Sequence, residues 1–364
     1  MTDKHFDVVV LGRSLGAMSL AALLTRRDFR VLVVGQATRP SRYYFRDYTL
    51  HRRAFTLLSA GSPAFKRIFT ELAQAQVFRR HLCSIDPMLS VMMPGRRFDI
   101  PPDLALFQHE IDREFGEVRR VVDDLYSNLV RVNAAADAAF DQDICWPPGT
   151  FWERRETNSV AASLPFIRPE KQELLAEFPS NHPYLDLIHQ TAAFASNMAL
   201  GARIMPAFAT ARLHGAWTRG VFGVAGGEDE VIDFLAERIT SLGGQVAFSE
   251  RAVGLDVMSD GSMKLILDGQ MTTIGAQFVV TDETGESLAQ LSQGKGLQRG
   301  AQSSWPIVTT RAGRFVVSIV VSPKGLPEPL GAESFIFSRM PGTPDPLSPV
   351  IHLQRLDRLI SEDG

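Results

Sequence analysis

The residues whose types and spacing could do chemistry gather close to the N-terminus. Gly12-Arg13-Ser14-Leu15-Gly16-Ala17 follows the apolar run Phe6 to Leu11 and leads into the Ala- and Leu-rich stretch Met18 to Leu24. A dinucleotide fingerprint, G-x-G-x-x-G/A, uses its first glycine for the turn and its second to let backbone approach a pyrophosphate. Its third small residue lets helix and strand pack closely. Gly12, Ser14 and Ala17 occupy these positions. Ser14 brings a Cβ toward the phosphate, and Gly16 allows the chain to approach one residue further on. The N-terminus of the helix that follows would offer free N–H groups and a partial positive charge to the anion. Where an acidic residue would hold ribose hydroxyls, the chain has Gly35-Gln36, so Gln36 is left to make a single amide contact. The same turn also reads G-x-S-x-G, a nucleophile elbow with Ser14 as nucleophile, but an elbow needs preceding strands and an upstream oxyanion loop. A third alternative is a nucleotide-type unit that keeps its packing and has lost its ligand.

These residues need elements to place them. Phe6 to Leu11 and Arg30 to Val34 are apolar and rich in β-branched residues, as strands buried on both faces are. Strand, glycine turn, helix and strand together take about thirty residues, the size of a βαβ unit. Between Ala37 and Arg53 lie Arg39, Arg42, Arg46, Arg52 and Arg53, interleaved with Tyr43, Tyr44, Phe45 and Tyr48. Such a mixture can stack bases and hold phosphates. In a chain without net positive charge, a solvated or cofactor-adjacent face is the expected reading.

Further along, Ser62-Pro63 opens a predicted helix over 63–76. Residues 89–100 resemble a hairpin turning at Pro94-Gly95. Helical stretches are expected over 104–139 and 169–199, separated by the loop Cys145-Trp146-Pro147-Pro148-Gly149. Gly226-Gly227-Glu228-Asp229-Glu230 opens a helix with an acidic first turn, which stops at Leu242-Gly243-Gly244. Strands are expected at 245–248, 252–258, 264–267 and 277–280, and a further strong one at 315–321, closed by Pro323. His182, His189 and His214 fall in or near a substrate region, and a lone histidine is more often a packed residue than a catalyst. No catalytic residue is named from the sequence.

Composition bounds the function. The chain has 364 residues, 45% hydrophobic and 22% charged, with a formal net charge of -3. That is room for two domains and excludes disordered and fibrous classes. It provides no general field for nucleic acid. Two cysteines and no zinc-finger spacing imply a reducing compartment and no structural metal. No apolar run approaches about 20 residues and the N-terminus is not a signal peptide. The expectation is a cytoplasmic protein, with peripheral membrane contact left open.

Taken together, the elements resemble the phytoene desaturase and flavin amine oxidase superfamily of FAD-dependent oxidoreductases. VVVLGRSLGAMSLAALLTRRDFRVLVV resembles that family's FAD-binding opening. The stretch from Gly226 to Gln270, with AQFVVTD after it, resembles its Gly-Gly helix, adenine-side strand and return to the sheet. The resemblance implies an α/β fold: a Rossmann-like FAD/NAD(P)-binding domain from 1–80 plus 215–300, interleaved with an α+β substrate domain from 81–214 plus 301–364. It implies FAD, held by Gly12, Ser14, Leu15, Gly16, Ala17, Gly35, Gln36 and Arg42, with Val253 contacting adenine through its backbone. It also implies hydride transfer from an apolar or amine substrate to the flavin. Gly35-Gln36 with Arg39 or Arg42 nearby would also suit a 2′-phosphate, which keeps NADP as the weaker alternative. The family continues for roughly another hundred residues to a glycine-rich segment that touches the flavin, and nothing up to Gly364 matches it. The competing expectation is therefore a catalytically incomplete flavin-fold scaffold, or one subunit of a complex whose partner completes the site.

Overall fold

The computed structural model describes residues 4–56, 61, 63–142, 148–165, 174–195, 207–268, 273–294, 315–327, 330–337 and 350–356. In chain order its elements begin with β1 (Lys4–Leu11), α1 (Leu15–Arg26), β2 (Val31–Val34), β3 (Arg42–Phe45), β4 (Tyr48–His51), α2 (Pro63–Glu71) and α3 (Ala75–Arg79). There follow β5 (Cys83–Ser84), β6 (Leu89–Met93), β7 (Arg96–Ile100), α4 (Leu104–Phe115), α5 (Arg119–Phe140), α6 (Phe151–Ser163), α7 (Pro183–Ala195), α8 (Ala207–Gly215) and β8 (Phe222–Gly223). The last are α9 (Gly227–Ser241), β9 (Gln245–Ala247), β10 (Ala252–Val257), β11 (Met263–Leu267), β12 (Thr273–Thr281), α10 (Gly285–Leu291), β13 (Glu333–Phe337) and β14 (Val350–Gln354). The chain divides into two compact units, the first made of Met1–Arg53, Ile68–Arg79 and Gly226–Thr310, the second of Ala54–Arg67, Arg80–Ala225 and Arg311–Gly364.

The first unit is α/β and Rossmann-like. Its six-stranded sheet has the order β10-β11-β12-β1-β2-β9, with β12, β1, β2 and β9 parallel and β10, β11 and β12 antiparallel. Val8 to Leu11 and all of β2 are buried, which explains why both read as unbroken apolar runs. Helix α1 connects them and packs its small buried residues Ala17, Ala21 and Ala22, with Met18, against sheet and α9. Strand β1 has the next strand in sequence on one side and β12, some 270 residues later, on the other. It therefore stands at the topological switch point, where open α/β sheets bind ligands beyond the carboxyl ends of their strands.

Helix α9 buries Val231, Ile232, Leu235 and Ile239 on one stripe, as its sequence spacing predicts. Phe234 meets Phe78 at 5.1 Å, and Phe69 stacks on Phe78 at 4.3 Å. The helix predicted over 63–76 is broken: Ala73 takes φ +55°, Gln74 N–H bonds back to Phe69 C=O, and a new short helix starts at Ala75. This is a left-handed C-cap on a non-glycine residue, which helical periodicity alone does not reveal.

In the second unit the hairpin at 89–100 forms as β6 and β7, inside a four-stranded sheet of order β14-β13-β6-β7. Phe98, Phe115, Leu129, Tyr184 and Leu187 lie in its core. The stretch 104–139 is two helices, α4 and α5, joined by a tighter turn at Gly116–Val118. Helix α6, which the sequence reading passed over, is announced by a capping box in which Thr150 Oγ1 accepts from Glu153 N–H and Glu153 returns the bond. Of the stretch 169–199, the described helical part is α7; 166–173 and 196–206 lie outside the described residues, as do Cys145 and Trp146. Glu333 is 1% exposed, yet its carboxylate is satisfied by Thr56 at 2.7 Å and by Gln354 and His352 at 2.6 Å each.

Residues 315–321 do not form the expected strand. They have no regular structure, and Phe315 is 93% and Ile319 74% exposed. Their β-branched composition favours a pleated surface only where a neighbouring strand pairs with it, and no described strand does. Among the described residues no helix is long and apolar enough to cross a membrane.

Candidate functional site

The glycine turn forms at the carboxyl end of β1. Gly12 N–H donates to Val34 C=O at 2.8 Å, tying the turn to β2. Gly12 itself takes φ +122°, a conformation that residues with a Cβ rarely adopt. Ser14 is the N-cap of α1, its extended backbone leading into the helix while its Oγ accepts from Ala17 N–H at 3.2 Å. The hydroxyl therefore satisfies a helix donor, a structural duty that the nucleophile-elbow reading of Ser14 lacks. Ala17, the third small residue of the predicted fingerprint, is buried in α1. Gly16 is exposed, and a Cβ placed on it would meet nothing closer than Ser14 Oγ at 3.9 Å. Packing thus does not explain glycine at position 16, and the first-turn N–H groups of Leu15 and Gly16 have no partner within the helix's own backbone ladder.

A residue that sequence reasoning missed closes the other side of the turn. Asp282 follows β12, and its N–H donates to Leu11 C=O at 3.2 Å. Its carboxylate accepts from Ser14 N–H at 2.8 Å. It also fills the space where a Cβ on Gly12 would stand. The sequence shows an aspartate after AQFVVT, but nothing in it shows β12 lying next to β1.

The remaining predicted positions make contacts of their own with the chain after β9, with β10 and with α9. A Cβ on Gly35 would come within 2.6 Å of the Phe248 backbone, so glycine there is demanded by the crossing of chain after β9. Gln36 takes φ +55°, and its Oε1 accepts from Ala252 N–H at 2.7 Å, at the start of β10. Val253 is the extra residue of a bulge between the Ala252–Leu267 and Gly254–Ile266 pairs, and its side chain is half-exposed. Arg42 is turned to α9: its backbone N–H bonds to Asp229 and its guanidinium to Asp233. Arg13 pairs with Asp229 at 2.8 Å and lies over the Phe248 ring. Arg53 pairs with Glu228. Arg52 donates to Pro40 C=O and covers Tyr43. Much of the arginine–aromatic segment is thus committed to the acidic first turn of α9 and to its own rings.

Of the histidines singled out in the sequence, His182 and His214 are buried and His189 is partly buried. His182 Nε2 lies 3.0 Å from Glu117, and its Nδ1 accepts from Tyr184 N–H. His214 is 1% exposed, beside Tyr126 at 3.4 Å, and burial pushes its pKa down to about 4, aided by nearby His189. Burial likewise lowers the pKa of His189. Desolvation raises the Tyr126 hydroxyl to about 12. Among the described residues no cluster of His, Cys, Asp or Glu is arranged to hold a metal.

No protein-family profile and no curated protein matches the chain. Solved structures do. A protein from Pyrococcus furiosus matches with TM-score 0.51 at 12% identity, over 82% of this chain and 65% of its own. The likeness is one of fold. An oxidoreductase from Methanosarcina mazei matches with TM-score 0.46 at 16% identity, over 82% and 63%, and an engineered putrescine oxidase with TM-score 0.46 at 13%, over 82% and 62%. The chain thus spans less than two thirds of the length of these similar proteins.

Proposed function

We propose that the chain binds FAD through the Gly12–Ala17 turn and forms part of a flavin-dependent oxidoreductase that dehydrogenates a small apolar or amine substrate. The observation that carries this reading is the strand–turn–helix at the switch point, with Gly12 at φ +122° and the N-terminus of α1 directly after it. The resemblance in sequence to phytoene desaturases and flavin amine oxidases supports the same cofactor. In shape and backbone donors the turn fits a phosphate; in charge Asp282 opposes one. When bound, FAD supplies the hydride acceptor. This chain's residues would hold it: the Leu15 and Gly16 N–H groups would serve its phosphate, Ser14 caps the helix that carries them, and the Val253 bulge would serve the adenine. On this reading the protein works in the cytoplasm and does not engage nucleic acid. NADP is the weaker reading because Arg42, one of its two prospective 2′-phosphate partners, is bonded to Asp229 and Asp233 of α9, which leaves Arg39 for that role.

A second reading, an incomplete scaffold or a subunit whose partner completes the site, is favoured by the Asp282 carboxylate in the turn. Absorption spectroscopy of the purified protein with excess FAD separates the two. Flavin bands that remain after gel filtration and bleach with dithionite support the oxidoreductase; a colourless protein that retains no flavin rules it out. Ala17→Val, which crowds α1 against β1, should release the nucleotide, and retained binding would show that the phosphate lies elsewhere.

A further inference from the structure

We infer that Asp282 is a resident anion of the glycine turn, competing with the dinucleotide phosphate for the same donors and so setting how tightly the chain binds its cofactor. The inference rests on the dinucleotide reading above. Its carboxylate accepts the Ser14 N–H at 2.8 Å, at the N-cap residue of α1. A phosphate seated there would share one helix end with a carboxylate, and like charges at such range oppose each other's ionised forms.

The carboxylate cannot be relieved by a shift of the main chain. Thr281 is in register with Leu11, and Asp282 N–H is bonded to Leu11 C=O, so rotation of the Asp282 side chain is the available movement. The cation of the turn does not offset the charge, because Arg13 points to Asp229 and both are buried. Gly12 belongs to the same device: only a residue without a Cβ leaves room for the carboxylate against the turn.

The experiment titrates the purified chain with FAD and, separately, with riboflavin, following quenching of flavin fluorescence. Asp282→Asn keeps an oxygen for Ser14 N–H and removes the charge; Asp282→Ala serves if that variant does not fold, with thermal melting as the check on folding. The expected result is FAD affinity at least tenfold tighter in the uncharged variant, with riboflavin affinity unchanged because riboflavin carries no phosphate. Equal or weaker FAD binding by the variant, while the wild-type chain binds FAD, overturns this inference and leaves the dinucleotide reading standing. An equal tightening for riboflavin also overturns it. No FAD binding by any variant removes both.

Discussion

Arg13, in the glycine turn, and Asp229, in the first turn of α9, form an ion pair at 2.8 Å whose side chains are 9% and 2% exposed. Asp229 sits where the helix macrodipole favours an anion, and it also accepts the Arg42 N–H. One carboxylate thus holds the turn and the β3 strand to the same helix end. Replacing it by Ala strands the buried Arg13 guanidinium, which should cost about 3–5 kcal/mol in urea unfolding. The double variant Arg13→Met with Asp229→Leu should lose markedly less, because no buried charge is left unpaired; equal losses would show that the pair is not the cause.

Three glycines should separate architecture from ligand contact. Gly12→Ala collides with Asp282 at a positive φ, and Gly35→Ala collides with the Phe248 backbone, so both should lower the melting temperature. Gly16→Ala meets only Ser14 Oγ, at an ordinary contact distance of 3.9 Å, and should leave or raise stability, since Ala exceeds Gly by about 1 kcal/mol in a helix. The same change should weaken FAD binding by about tenfold, equal to about 1.4 kcal/mol. Unaltered binding would place the phosphate away from Gly16.

His214 predicts a pH dependence of folding. Its folded pKa of about 4 lies below the ordinary 6.5, so between those values the unfolded chain binds more protons than the folded one. Stability is therefore highest above about pH 6.5 and falls as the pH drops toward 4, by on the order of 3 kcal/mol from this residue. His214→Phe should flatten that part of a urea-stability profile; an unchanged slope would assign it to other groups, among them His189.

Thr150→Ala removes the cap of α6, whose Oγ1 accepts from Glu153 N–H at 3.2 Å. The loss should be about 1 kcal/mol, with Thr150→Ser recovering most of it. Chemical denaturation of the three proteins checks this.

How much of this was legible in the sequence depends on the range of the interaction involved. The βαβ opening, the Gly12 turn, the 89–100 hairpin and the helix from Gly227 follow from local pattern: burial on both faces leaves apolar runs, and turns select glycine. Local pattern also contains the Thr150–Glu153 capping box that announces α6. Residues 315–321 mislead for the converse reason, since strand propensity does not specify whether a partner strand is present.

By itself, then, the amino-acid order determined the βαβ opening of the Rossmann-like unit and its glycine turn. Only the tertiary structure decided what surrounds that turn. Asp282 reaches Ser14 across 268 residues and Asp229 reaches Arg13 across 216. Such contacts arise from the parallel pairing of β12 with β1 and the docking of α9 beside α1. Those pairings minimise exposed apolar surface over the whole unit, and no short window of sequence carries them. The charge at the candidate phosphate site is set in this way, by a residue brought there through the sheet.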